Sequence, residues 1–166
     1  AVVKAGANMS NMYGDDADDH YESKIGLVIG GLINFDINEQ FAFQTGPFYS
    51  QKGAEYDMME SEGTINLDYF EMPFLGRYNI PMDGNIMPNI YLGPSIAYNL
   101  IAESDDTDFS DDVKDFDFGA IFGIGVKFEQ FLIDAEYNMG LTSIDDSNAD
   151  MDLKNSTITV MLGYCI

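Results

Sequence analysis

The chain has 166 residues, which predicts a single domain over residues 1–166, and it carries 29 acidic against 7 basic side chains, a net charge of −22. This charge excludes nucleic acid as a partner, because phosphate binding needs clustered lysine and arginine. Twelve phenylalanines, ten tyrosines and a hydrophobic content of 46% exclude a disordered acidic chain. No apolar run is long enough to predict a transmembrane helix.

Eight segments of alternating polarity predict eight β-strands. Their predicted boundaries are 1–12, 24–36, 41–54, 65–80, 88–102, 115–128, 131–143 and 154–166. The first, third, fifth and seventh strands are followed by acidic blocks at 14–23, 55–63, 103–115 and 145–152. The other connections are the short segments "DINEQ", "IPMDGNIMP" and "FEQF". An even strand count, with long loops at one end and short turns at the other, predicts an all-β, eight-stranded antiparallel up-and-down transmembrane β-barrel.

Side-chain parity supports this interpretation, because successive residues of a strand point to opposite faces. In the segment "INLDYFEMPFLGRYNI", Phe70, Met72 and Phe74 share one face, whereas Glu71 and Arg77 share the other. The charge-free face must contact lipid, where an unsatisfied polar group costs several kcal/mol. The mixed face then lines the lumen. Aromatic residues fall in two bands towards the strand ends, which predicts membrane girdles.

The lumen of an eight-stranded barrel is only wide enough for side chains to fill it. A charge inside it needs a partner, so we predict a nearly neutral network of charges that plugs the barrel. Its predicted members are Lys4, Glu71, Arg77, Asp117, Lys127, Asp134 and Glu136. Strand glycines on the same face leave room for these side chains. Pro73 cannot donate a ladder hydrogen bond, and we expect it to mark a bulge.

Four segments occur in this order along the chain: "VKAGANMSNM", "FAFQTGPFYSQKGAEY", "LDYFEMPFLGRYNI" and "PNIYLGPSIAYNL". In this combination the sequence resembles the PorT-type outer-membrane β-barrel proteins, small eight-stranded barrels of Gram-negative envelopes, over essentially its whole length. The resemblance implies a bacterial outer-membrane location, with termini in the periplasm and acidic loops at the cell surface. It implies no enzymatic activity. We expect the chain to be a mature product from which an export signal has been removed.

The acidic loop "DDTDFSDD" is a candidate divalent cation site. It offers the hard oxygen ligands that Ca²⁺ or Mg²⁺ takes, from the side chains of Asp106, Asp108, Ser110 and Asp112. The alternative is a solvated surface loop without a bound ion. No other cofactor is predicted.

Two functions from different classes are consistent with the sequence. The first is a non-enzymatic structural or interaction protein, an accessory subunit of an envelope complex that contacts outer-membrane lipid, lipopolysaccharide and other outer-membrane proteins. The second is a lipid-modifying acyl hydrolase or transferase that uses the single histidine, His20, near Ser23. A soluble lipocalin-type barrel would need an apolar interior, and a porin would need more than eight strands. We favour the first function.

Overall fold

A computed structural model of the protein describes residues 1–13, 21–58, 61–104, 107–108, 115–142 and 154–166. No helix among these residues is long and apolar enough to cross a membrane. The strands are β1 (Val2–Tyr13), β2 (Tyr21–Asp36), β3 (Phe41–Thr45), β4 (Phe48–Met58), β5 (Ser61–Asn79), β6 (Ile86–Ser104), β7 (Thr107–Asp108), β8 (Phe116–Phe128), β9 (Phe131–Gly140) and β10 (Lys154–Cys165).

The strands close into a ring in which every pair is antiparallel. Each strand pairs with the next one around the ring, and the short β7 pairs only with β6, which pairs with β8. Strand β10 returns to β1 along its whole length, from Val2 opposite Cys165 to Tyr13 opposite Lys154. Strands β3 and β4 share one position between β2 and β5. The described strands therefore form a ring of eight positions, and the predicted up-and-down barrel is confirmed. Closure leaves no open sheet edge in the ring.

The third position of the ring is interrupted at Gly46 and Pro47, between β3 and β4. The register with β5 is the same on both sides of the interruption, which places Gly46 opposite Pro73. Neither proline has an N–H to donate, so the ladder between the two strands fails there. The expected bulge at Pro73 was wrong, because Pro73 stays in register with Ser95 on β6. Pro73 has no N–H to donate, and the strand opposite it is interrupted between β3 and β4 instead.

A true register shift occurs between β2 and β4, where Gly53 lies in the irregular stretch of β4. Gly53 has a φ of 131°. A Cβ at this position would lie 2.0 Å from a backbone oxygen of β5. Only glycine tolerates both the dihedral angle and this close approach. The side chains of Asn8 and Ser10 donate to backbone oxygens of this stretch, at 3.0 and 2.9 Å.

Two of the expected acidic loops are shorter than predicted. Strands β4 and β5 continue to Met58 and Ser61, which pair directly, so only residues 59–60 separate them. Strand β6 continues to Ser104 and pairs with β7. Strand pairing needs only backbone hydrogen bonds. A segment rich in charged residues can therefore pair as a strand wherever it lies in water. The acidic blocks at 55–63 and 103–115 are therefore partly hairpin rather than loop.

The connections at the opposite end are short, as predicted. The β2–β3 turn is closed by Asn38, whose Oδ1 accepts hydrogen bonds from the N–H groups of Gln40 and Phe41 at 2.9 and 2.8 Å. A two-residue turn joins β8 to β9, and Glu129 adopts a φ of 53° in it. A positive φ is what a two-residue hairpin turn requires. The N- and C-terminal residues also meet at this end, through backbone hydrogen bonds between Ala1 and Ile166.

The outer surface of the barrel is an apolar belt. Leu27, Phe122 and Leu162 are exposed by 64%, 55% and 65%, while their neighbours in sequence point inward and are buried or half-buried. Aromatic pairs mark the two ends of the belt. Near the short turns, the ring centroids of Phe41 and Tyr78 are 4.9 Å apart. At the loop end, Tyr98 and Phe116 are 5.3 Å apart. The predicted girdles thus stand at both margins of the apolar belt.

Candidate functional site in the barrel interior

Buried charges fill the interior. Three ion pairs lie among the inward-facing side chains: Lys4 Nζ to Asp134 Oδ2 at 2.8 Å, Arg77 to Asp134 Oδ1 at 3.4 Å, and Lys52 Nζ to Glu71 Oε2 at 3.0 Å. Each of these side chains is at most 8% exposed. Charges so deeply buried persist only when they are paired and hydrogen-bonded. The pairs form two groups at different depths.

The first group, the Asp134 cluster, lies towards the short-turn end. It consists of Lys4, Arg77, Asn89, Tyr91, Asp134 and Glu136. Arg77 donates from two nitrogens to Asn89 Oδ1, at 3.0 and 2.9 Å. The Tyr91 hydroxyl donates to Glu136 at 3.0 Å. The cationic groups of Lys4 and Arg77 lie 5.3 and 5.7 Å from the Tyr91 ring centroid. Cation–π attraction therefore adds to the ion pairs.

The second group, the Glu71 cluster, lies nearer the loop end and consists of Lys52, Tyr69, Glu71 and Asn138. The Asn138 amide donates to Glu71 Oε1, so each carboxylate oxygen of Glu71 has a partner. Lys52 also lies 5.4 Å from the centroid of the Tyr69 ring. Here one carboxylate meets one cation and one neutral amide.

Asp117 lies on the same inner face, closer to the loop end than either cluster. Its two oxygens accept hydrogen bonds from Thr142 and Asn155, at 2.9 and 3.0 Å. The same Asn155 amide nitrogen donates to the Tyr69 hydroxyl at 3.1 Å. Asp117 is thus linked to the Glu71 cluster through Asn155 rather than through an ion pair between described residues.

Of the charges predicted for the lumen, the structure brings Lys4, Arg77, Asp134 and Glu136 into one cluster. Glu71 does not pair with Arg77 on its own strand; its cation is Lys52, which sequence reasoning missed. The alternation of side chains along the strand could have revealed Lys52, because this residue shares a face of β4 with buried residues. Lys127 is half-buried at the end of β8 and lines a cleft outside the interior.

Glycines on the inner face make the space that the Asp134 cluster occupies. A Cβ on Gly123 would lie 2.1 Å from Cζ of Tyr91. A Cβ on Gly125 would lie 2.0 Å from Oδ1 of Asp134. Both glycines belong to β8, so this strand forms the thin wall against which larger side chains pack.

The cavity between the two clusters is small. The interior cavity measures about 20 Å³ and lies between the two clusters, with Lys4 and Glu136 on one side and Lys52 and Glu71 on the other. A cavity needs roughly 10–15 Å³ to hold a single water molecule. The cavity therefore has room for about one water and for no larger solute.

Two predicted sites fall on residues that the structure does not describe. His20, the histidine of the enzyme hypothesis, lies outside the described residues, and so do Asp106, Ser110 and Asp112 of the candidate cation loop. Asp108 is described only as part of the β7 backbone. Within the described part of the chain, no group of three or more His, Cys, Asp and Glu side chains is arranged to hold a metal ion.

A closed antiparallel barrel with an apolar outside, aromatic girdles and a charged interior defines a transmembrane barrel of the bacterial outer membrane. Residues 1–146 match the family described as the outer membrane protein beta-barrel domain, and the chain belongs to that family. Among proteins of curated function, none matches the sequence significantly.

Solved structures of outer-membrane barrels resemble the fold over its whole length. The outer membrane enzyme PagL is 13% identical with a TM-score of 0.67, and the match covers 100% of each chain. Neisserial surface protein A is 12% identical with a TM-score of 0.59, covering 99% of this chain and 96% of that one. Ail, the attachment invasion locus protein of Yersinia pestis, is 17% identical with a TM-score of 0.50, covering 98% and 95%. At these identities the likeness concerns the fold alone.

Proposed function

We propose that the protein is a non-enzymatic outer-membrane barrel of the PorT type that acts as a structural or interaction protein, as an accessory subunit of an envelope complex. One observation carries the proposal: two clusters of buried charges fill the described interior, and the cavity between them measures about 20 Å³. Such an interior offers neither a solute path nor a substrate chamber. The parts of the protein that remain available for function are the outer surface and the two ends of the barrel.

In this proposal the termini and short turns face the periplasm, and the acidic loops face the cell surface. There they would meet lipopolysaccharide, with divalent cations held between lipid phosphates and loop carboxylates such as Asp106, Asp108 and Asp112, together with Ser110. Removal of divalent cations with a chelator should then loosen the attachment of lipopolysaccharide to the purified protein. The same treatment of a variant with Asp106, Asp108 and Asp112 changed to Asn should have no further effect.

The direct test is extraction of native membranes in a mild detergent, with purification through a tag on a loop. We expect one partner protein to remain bound in fixed stoichiometry. In parallel, the purified barrel in planar bilayers should show no ion conductance, since the charge clusters close the lumen. A barrel that purifies alone, or one that conducts ions steadily, would contradict the proposal.

The alternative function is modification of lipid, and the likeness to the outer membrane enzyme PagL is the observation that favours it. It predicts that the purified protein cleaves or transfers acyl chains of phospholipid or lipid A, and that His20→Ala abolishes this activity. The companion variant is Ser23→Ala. It shows whether the activity requires His20 alone or both His20 and Ser23. Acyl products from the wild type that disappear with His20→Ala would replace our proposal with this one.

A further inference from the structure

A second cavity opens at the short-turn end of the molecule, outside the barrel interior. The segment 80–85, which connects β5 to β6, forms one wall, and the turns that follow β2 and β8 form the others. The resulting cleft has a volume of about 580 Å³. Small-molecule and peptide pockets typically measure about 300–1,000 Å³, so the cleft is large enough for several side chains of a partner.

Backbone hydrogen bonds hold the cleft in shape. The Asn79 N–H donates to the carbonyl of Gln40 at 2.7 Å, and the Ile80 N–H donates to the carbonyl of Pro88 at 2.8 Å. Gly84 has a φ of 111°, which lets the connection turn sharply. A surface fixed in advance loses little conformational entropy on binding. The start of the segment 80–85 is therefore fixed before a partner binds.

The cleft exposes apolar side chains beyond the membrane. The aromatic pair of Phe41 and Tyr78 marks the margin of the apolar belt, and the connection follows the strand past that margin, into water. Nevertheless Met82 is 59% exposed and Met87 is 39% exposed. Exposed apolar side chains grouped in a recess, with a charged border, are typical of a protein interaction site.

The charges around the cleft are mainly negative. Three acids, Glu39, Asp83 and Glu129, line it, against one base, Lys127. All three acids are exposed, whereas Lys127 is half-buried at its floor. Complementary charge steers partners and selects among them. The border of the cleft therefore favours a cationic segment and disfavours an acidic one, including the acidic segments of a second copy of this chain.

We propose that this cleft docks a short peptide segment of a partner protein, one that combines basic residues with apolar side chains and approaches from the short-turn side of the membrane. The apolar side chains contact Met82 and Met87, and the basic residues pair with acids among Glu39, Asp83 and Glu129. This inference rests on the proposed function as an accessory subunit, and it names the surface that holds the partner.

The test uses the full chain in nanodiscs of zwitterionic lipid and a fluorescent hexapeptide that carries two lysines and two leucines among serines. Binding is followed by fluorescence anisotropy, with empty nanodiscs as the blank. The cleft variant combines Glu39→Gln, Asp83→Asn and Glu129→Gln. A matched control combines Glu22→Gln, Glu55→Gln and Asp115→Asn, three exposed acids at the loop end, and so changes net charge equally.

We expect the cleft variant to bind the peptide about tenfold more weakly, since both lysines of the peptide lose exposed ion pairs of modest strength. The control variant should bind within about twofold of the wild type. Met82→Ser should weaken binding of the leucine peptide but not of a peptide of lysine and serine alone. Equal losses of affinity in the two triple variants would assign binding to overall charge or to lipid. Either this result or equal binding of the two peptides to Met82→Ser would overturn the inference.

Native extraction separates this inference from the proposed function. A partner that accompanies the wild type and is lost from the cleft variant supports both. A partner that stays with the cleft variant overturns the docking site and leaves the accessory function standing. If cleft-dependent peptide binding occurs but the wild type purifies alone, the accessory function fails while the cleft remains a peptide-binding site.

Discussion

The Asp134 and Glu71 clusters differ in how many cations depend on one carboxylate. Asp134, which is fully buried, is shared by Lys4 and Arg77. Glu71 meets one cation, Lys52, and takes its second hydrogen bond from the neutral amide of Asn138. Both clusters include side chains from β9 and fill the same barrel. The comparison teaches that the cost of removing a buried acid depends on how many charges it leaves without a partner.

The largest effect is therefore expected from Asp134→Asn, which removes one charge and deprives two buried cations, Lys4 and Arg77, of their ion-pair partner. Breaking a buried ion pair from one side typically costs about 3–5 kcal/mol, and here two pairs are broken. The free energy of unfolding, measured by urea titration in detergent micelles, should fall by at least that amount. Asp115→Asn, which removes an exposed acid, is the control and should change nothing measurable.

Adding Arg77→Met to Asp134→Asn sharpens this test. The double variant no longer buries the guanidinium, so it should recover part of the lost stability, and the two changes should not add. Additive losses would mean that Arg77 does not depend on Asp134.

Glu71→Gln should cost less than Asp134→Asn, because it breaks one buried ion pair rather than two. Breaking one such pair typically costs about 3–5 kcal/mol. The single amide oxygen of glutamine also replaces only one of the two acceptors that Lys52 and Asn138 use. The same urea titration measures it. The comparison between the clusters fails if Glu71→Gln destabilises the barrel as much as Asp134→Asn does.

Parity alone could place these charges inside the barrel, but it could not pair them. The inward face of a strand follows from alternation over a few residues, which is why Lys4, Arg77 and Asp134 could be assigned to the lumen from the sequence. Contacts across the lumen depend on the register of every strand between the partners. Glu71 and Arg77 share a face of β5, yet they belong to different clusters. Lys52 lies within the predicted strand 41–54 and on its inward parity, but parity does not show that its partner is Glu71 on the next strand.

The loop end was harder to predict for a different reason. Acidic blocks indicate contact with water, and water is compatible with either a loop or a hairpin. Strands β4 and β5 continue to Met58 and Ser61 because backbone pairing does not depend on the charge of the side chains. The sequence therefore predicts the membrane-spanning part of each strand better than its extension.

Gly123→Ala tests whether the thin wall of β8 is needed by the Asp134 cluster. The new Cβ would lie 2.1 Å from Tyr91 Cζ, so the tyrosine ring must move. Overpacking of this kind costs about 1–3 kcal/mol. The matched control is Gly76→Ala, whose Cβ would meet only a backbone oxygen of Leu92, at 3.8 Å. A loss of stability shared by both alanine variants would point to backbone effects rather than to the tyrosine.

The smallest expected effect is the difference in stability between variants of two buried tyrosines, Tyr91 in the Asp134 cluster and Tyr69 in the Glu71 cluster. Tyr91 donates to the carboxylate of Glu136, whereas Tyr69 accepts from the neutral amide of Asn155. Hydrogen bonds to charged groups contribute roughly 1 kcal/mol more than neutral ones, so Tyr91→Phe should destabilise the barrel by about that much more than Tyr69→Phe. Both changes remove one hydroxyl and keep the ring, and hence keep the cation–π contacts of Lys4 and Lys52. The difference in urea midpoint between the two variants therefore compares a hydroxyl bonded to a carboxylate with a hydroxyl bonded to neutral amides. Equal midpoints would mean that the charge of the partner does not distinguish the two tyrosines, and that the two clusters differ only around Asp134.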